Sequence, residues 1–157
     1  YDKMDLSDLL RPQAVLSGVK AGSKKQLLQI LSEKAAELTG IPERDVFETV
    51  LQRERLGSTG TGNGIAIPHG KLKNLKSIIG VFARLEKPVD FESFDDEPVD
   101  IVFLLLAPEH AGADHLKALS RIARILRDAD MVTKLRGTPD AAALYSFLTV
   151  QQTSNAA

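Results

Sequence analysis

A histidine set between a proline and a glycine occupies the stretch GNGIAIPHGK, residues 62–71. Pro68 fixes its own φ and drives Ile67 into an extended conformation. Gly70 is expected to let the chain turn sharply on the other side. His69 is therefore expected at a strand end on a tight, rigid bend, which suits a group presented to a partner. The plainer alternative is a histidine that fills a turn. Nucleophile, metal ligand and turn residue all stay open on spacing alone.

Two further side chains have chemistry within reach. His115, in GADHLKALSRIARIL, shares a helical stripe with Leu119, Ile122 and Leu126, so it faces inward. It falls in the first turn of its helix, where the positive end of the helix dipole favours a neutral imidazole and a nearby anion. A core histidine with its hydrogen bonds met is the competing reading. Arg53 follows Val46 by seven residues and Val50 by three, which turns it toward the buried side of its helix, unlike Arg44 and Arg55. It is either paired structurally or free to hold a phosphate with its planar fork. His110, in the loop before His115, reads as a surface residue.

Several chemistries fail on spacing. Gly64 and Gly70 have five residues between them and Leu72 follows Lys71, so the P-loop pattern of four residues and then Lys-Ser/Thr is missed. The run Gly60-Thr61-Gly62-Asn63-Gly64 misses the dinucleotide fingerprint too, although its backbone N–H groups could hold an anion. His69, His110 and His115 lack the ligand spacing of a zinc site, and no cysteine exists. Ser58, Thr59 and Thr61 have no base and acid placed for a triad. The acidic run Asp90, Glu92, Asp95, Asp96, Glu97 and Asp100 reads as a solvated loop.

These groups need a scaffold, and the hydrophobic pattern predicts one. A short helical turn is expected over residues 5–10 and a strand over 14–19. Ser23 caps a helix running to about Thr39, with Gly40 as its stop and Leu27, Leu31, Ala35 and Leu38 as its apolar stripe. Pro42 opens the next helix at the first position, to about Leu56, with Val46, Phe47, Val50 and Leu51 inward. Strands follow at 65–67 and 77–85, then an acidic loop over 87–98. Residues 99–107 are nearly all apolar, the pattern of a central strand covered on both faces. Helices are expected over 113–128, near 131–136, and from Pro139 to about Val150, with a frayed tail. The fold class is α/β: a single domain with a mixed β-sheet flanked by helices on both faces.

Bulk properties agree with one domain. The 157 residues are 43% hydrophobic and 26% charged, ordinary for a globular core. A net charge of −1 gives no general pull toward nucleic acid or an anionic membrane. The absence of cysteine fits a reducing compartment. The longest strongly apolar run, IVFLLLA, is far below the about 20 residues of a membrane span, and YDKMDLSDLL has no signal core. A cytoplasmic protein is expected. Its core would span about residues 4–150, with Met4 as the natural start and Tyr1 to Lys3 foreign to it.

The stretch QRERLGSTGTGNGIAIPHGKL, residues 52–72, resembles the active-site segment of the fructose/mannitol-type enzyme IIA family of the bacterial phosphoenolpyruvate phosphotransferase system. Within it, GSTGTGNGIAIPHGK is most similar to the nitrogen-regulatory enzymes IIA. HLKALSRIARILRD, from His115, resembles the family's second-histidine helix. The likeness runs from about Met4 to Val150. It implies that His69 accepts a phosphoryl group at Nε2 from an HPr-like phosphocarrier, with Arg53 and His115 completing the site. The backbone of Gly60, Thr61, Gly62 and Asn63 is expected to assist as a phosphate cradle. No metal and no cofactor is expected.

Three functions fit. The first is a transferase-like but mainly regulatory protein, whose phosphorylation state selects targets in nitrogen, carbon or potassium control, sensor kinases among them. The second is a sugar-specific IIA that passes phosphate to a IIB protein during fructose or mannitol uptake. The third is an interaction module whose pocket is no longer phosphorylated.

Overall fold

Every residue from 101 to 107 is completely shielded from solvent. Side chains alternate between the faces of a strand, so both faces here must be covered. This is the strand around which the molecule is built. The computed structural model describes residues 5–155, with side-chain surroundings for 5–149. Its strands are β1 (Val15–Val19), β2 (Gly60–Gly62), β3 (Ile65–Ala66), β4 (His69–Leu72), β5 (Ile79–Val89) and β6 (Val99–Pro108). Its helices are α1 (Lys24–Thr39), α2 (Glu43–Leu56), α3 (Ala113–Arg127), α4 (Ala129–Arg136) and α5 (Ala141–Asn155). The sheet runs β1-β5-β6-β3-β2, and β4 also pairs with β6. β5 is antiparallel to β6, while β3 and β4 are parallel to it, so the sheet is mixed.

The helices form two groups. α1 and α2 pack on each other, α2 also on β4 and α1 on β5; α3, α4 and α5 pack in series, with α3 and α4 on β6 and α5 on β1. The result is the expected α/β domain with a mixed sheet and helices on both faces. None of the described helices is long and apolar enough to cross a membrane.

Local signals did much of this work. Ser23 Oγ accepts from the Gln26 N–H at 3.1 Å, a cap worth about 1 kcal/mol. Gly40 ends α1 in the left-handed region at φ 79°, donating to the Ala36 carbonyl. Pro42 stands at the N-cap of α2 rather than at its first position. β5 runs to Val89, past the expected end at Leu85; Glu86, Lys87 and Pro88 are exposed and offer no apolar strand signal. α5 continues to Asn155 where fraying was expected after Val150.

The correction that matters most lies at His69. Ile65 pairs with Ile101, Ala66 with Val102, His69 with Leu105 and Gly70 with Leu106, one constant offset along β6. The chain therefore continues as a strand through Pro68, broken only where proline has no N–H to give. The Pro68 carbonyl still accepts from Leu105 N–H at 2.9 Å. Gly70 does not turn the chain. A Cβ on it would meet Thr49 Cγ2 of α2 at 2.9 Å, so this glycine lets a helix press onto the strand.

Candidate functional site

β4 presents neighbouring residues to opposite faces of the sheet. Gly70 faces α2. His69 faces the other way, toward the start of α3. There its ring meets that of His115 at a centroid separation of 5.8 Å and a tilt of 49°. Residues 46 apart in the chain are thus brought together by two elements that both pack on β6: β4 along its edge and α3 over its face.

The hydrogen bond at His69 Nδ1 sets the chemistry of that ring. Nδ1 lies 2.8 Å from the carbonyl oxygen of Ile67. A carbonyl can only accept, so Nδ1 carries the hydrogen. In the neutral ring the lone pair then sits on Nε2. The half-buried ring is held from one side, and its other nitrogen is a nucleophile.

His115 is 7% exposed, and its Nδ1 is buried with no hydrogen-bond partner among the described residues. Burial pushes its pKa below the ordinary histidine value. The nearby His69 and Lys71 push in the same direction. These surroundings favour the neutral form of His115. It stands in the first turn of α3, whose N-cap, Gly112, supplies no side chain to the first N–H groups. His110 is exposed, as expected.

Arg53 is half-buried in the last turn of α2, and its Nη1 donates to the Gly57 carbonyl at 2.9 Å. This bond ties it to the root of the glycine loop. The backbone of the loop is already partly engaged. Gly60 N–H donates to Ser58 Oγ at 3.1 Å, and Asn63 N–H to the Asp95 carboxylate at 2.9 Å. β2 pairs with β3. Of the four cradle residues, Gly60 and Asn63 have protein acceptors for their amides.

Several of the loop's holders were not singled out from sequence. Glu54, at 2% side-chain exposure, accepts from Thr59 N–H at 3.1 Å and from the Thr59 hydroxyl. Lys24 Nζ of α1 lies 3.0 Å from the same carboxylate, 3.3 Å from Glu92, and 4.6 Å above the Phe91 ring. Glu54 continues the buried series Val46, Val50 by another four residues, and a carboxylate on that stripe was a signal. Lys24 had none. On the far side, Arg136 pairs with Asp100 at 2.9 Å and donates to the Asn63 carbonyl at 2.6 Å. Asp95 accepts from the backbone N–H of Asn63 and of Glu97, and these hold its carboxyl below the usual range. Three carboxylates of the acidic run, Glu92, Asp95 and Asp100, are thus tied to the scaffold or the loop.

Residues 8–150 match the family described as "Phosphoenolpyruvate-dependent sugar phosphotransferase system, EIIA 2". A "Nitrogen regulatory protein" of Bradyrhizobium diazoefficiens is 63% identical over 145 residues, 92% of this chain and 95% of that protein. The crystal structure of the nitrogen regulatory protein IIA-Ntr from Neisseria meningitidis superposes with a TM-score of 0.88 at 34% identity, covering 92% of this chain and 99% of that one. The mannitol IIA of Escherichia coli, in a complex with phosphorylated enzyme IIB, gives a TM-score of 0.76 at 21% identity over 89% of this chain and 98% of that one; it shares the fold.

Proposed function

Given that this chain belongs to the EIIA 2 family of the phosphoenolpyruvate-dependent sugar phosphotransferase system, and is of its nitrogen-regulatory kind, we propose that His69 accepts a phosphoryl group at Nε2. The donor is an HPr-like phosphocarrier, and the resulting phosphorylation state selects regulatory partners in nitrogen, carbon or potassium control. The observation that carries this reading is the Nδ1 bond to the Ile67 carbonyl, which leaves Nε2 with the lone pair.

In the transfer, the Nε2 lone pair attacks phosphorus. The P–N bond to the carrier's imidazole breaks, and its electron pair stays on the departing nitrogen. Donor and acceptor are alike, so the exchange is nearly balanced. The protein's task is then to position the groups and stabilise charge. The surroundings of His115 favour its neutral form before transfer. Once transferred, the group adds about −1.5 to −2 charge beside His115. That draws a proton onto the second ring. Arg53 swings from the Gly57 carbonyl to supply a positive charge. The charge change on this face is what partners read.

The test is incubation with phosphoenolpyruvate, enzyme I and an HPr-like carrier, followed by intact mass. One acid-labile phosphoryl group on the wild type and none on His69→Ala is expected. An unmodified wild type beside a phosphorylated control IIA would remove His69 as the acceptor for that carrier. Rapid loss of the group to an added fructose or mannitol IIB protein would instead favour the sugar-specific role.

A further inference from the structure

Glu54 and Lys24 form a shielded ion pair at the base of a surface loop, outside the histidine pair. A buried carboxylate is costly unless every lone pair finds a donor, and a buried pair is weak evidence of added stability. Glu54 is satisfied by three donors: Lys24 Nζ, the Thr59 N–H and the Thr59 hydroxyl. Two of them belong to one loop residue. Thr59 lies between Gly57 and Gly60, in chain with little stiffness of its own. The contact sequence does not stop there. The Thr59 carbonyl accepts from Ile67 N–H at 3.0 Å, and the Ile67 carbonyl accepts from His69 Nδ1 at 2.8 Å.

We propose that Glu54, anchored by Lys24, is a positioning residue for His69, acting through Thr59 and Ile67 to aim the Ile67 carbonyl at Nδ1 and so keep Nε2 unprotonated and outward. The proposal rests on His69 as the phosphoryl acceptor for its consequence, but not for its structural content. Glu54 touches no reacting atom. Its effect is on the tautomer and direction of a ring two hydrogen bonds beyond the residue it holds.

The experiment compares Glu54→Ala, Glu54→Gln and Thr59→Val with the wild type and Thr59→Ser. Folding is first checked by circular dichroism. The tautomer of His69 is then read from its side-chain ¹⁵N shifts in histidine-labelled protein, and the rate of phosphorylation by the HPr-like carrier is measured. Glu54→Ala and Thr59→Val are expected to move His69 from pure Nδ1–H to a tautomer mixture and to slow transfer by about 10- to 100-fold. Thr59→Ser keeps both values. Glu54→Gln, with one acceptor oxygen left, falls between. A folded Glu54→Ala with an unchanged tautomer overturns the proposal, and so does a shifted tautomer with an unchanged rate. If Glu54→Ala does not fold, the same two readings are taken on Glu54→Gln and Thr59→Val and decide in the same way. A shifted tautomer in a protein whose wild type never accepts phosphate keeps the positioning and removes the acceptor reading.

Discussion

The strand behind His69 and the loop in front of it are held by opposite means. β6 is an apolar rod packed on both faces, with Phe103 edge-on to Phe82 at 6.3 Å. The loop at 58–64 has glycines at three of its seven positions. It is held by polar clamps: Glu54 on Thr59, Ser58 on the Phe91 carbonyl, Asp95 on the Asn63 N–H, Arg136 on the Asn63 carbonyl. Close packing without direction gives β6 its stability. Directed bonds of small net energy give the loop its shape. The histidine lies between the two and draws on both.

The contrast breaks first if β6 does not dominate stability. Phe103→Ala, at a fully buried ring, is expected to cost about 3–5 kcal/mol in denaturant unfolding. A loss below about 1 kcal/mol would mean the core is not organised on this strand. Gly70→Ala tests the close approach of α2 to β4. Its Cβ meets Thr49 Cγ2, so about 1–3 kcal/mol is expected, with Thr49→Ser in the same chain recovering most of it.

The site itself offers a pH test. The folded pKa of His115 is lowered by burial, His69 and Lys71, so below the ordinary value near 6.5 the unfolded chain binds a proton that the folded one resists. Stability is unaffected by His115 well above that pH and falls as pH drops through it. His115→Gln flattens that slope in urea titrations taken between about pH 7 and 5. Phosphorylation of His69 should raise the His115 pKa, seen as a shift of its NMR titration upward. An unmoved titration would mean that the phosphoryl group lies elsewhere.

The smallest effect is expected at the loop's outer clamp. Asp100→Asn removes the charge opposite a partly exposed Arg136 and should cost about 1 kcal/mol or less. Faster amide exchange around Asn63 and Gly64, without a change in global unfolding, would sharpen the contrast between a loop that is shaped and a core that is stable.

Most elements were legible because each carried a local signal. The Ser23 cap, the Gly40 stop and the unbroken apolar run of β6 appear where the sequence places them. The site was half legible. His69 and His115 were singled out from flanking residues and helical stripe, with their roles left to the family resemblance, and the structure brings their rings together where both elements dock on β6. Arg53 was found, but its present partner is the Gly57 carbonyl. Gly70 was misread because a glycine wanted for space and a glycine wanted for a turn look the same in sequence. Lys24 was invisible, since nothing near it in the chain announces a carboxylate on another helix.

The sequence by itself determined the periodic elements, the α/β class and the two histidines, because capping, strand alternation and helical stripes are decided within a few neighbouring residues. Only the tertiary structure decided how the Ile67 carbonyl meets His69 Nδ1, what buries His115 and lowers its pKa, and what holds the glycine loop. The His69–His115 approach and the Lys24–Glu54 pair join groups far apart in the chain, and even the short-range contacts of His69 with Ile67 and of Glu54 with Thr59 take their geometry from the fold, where burial and directed hydrogen bonds act.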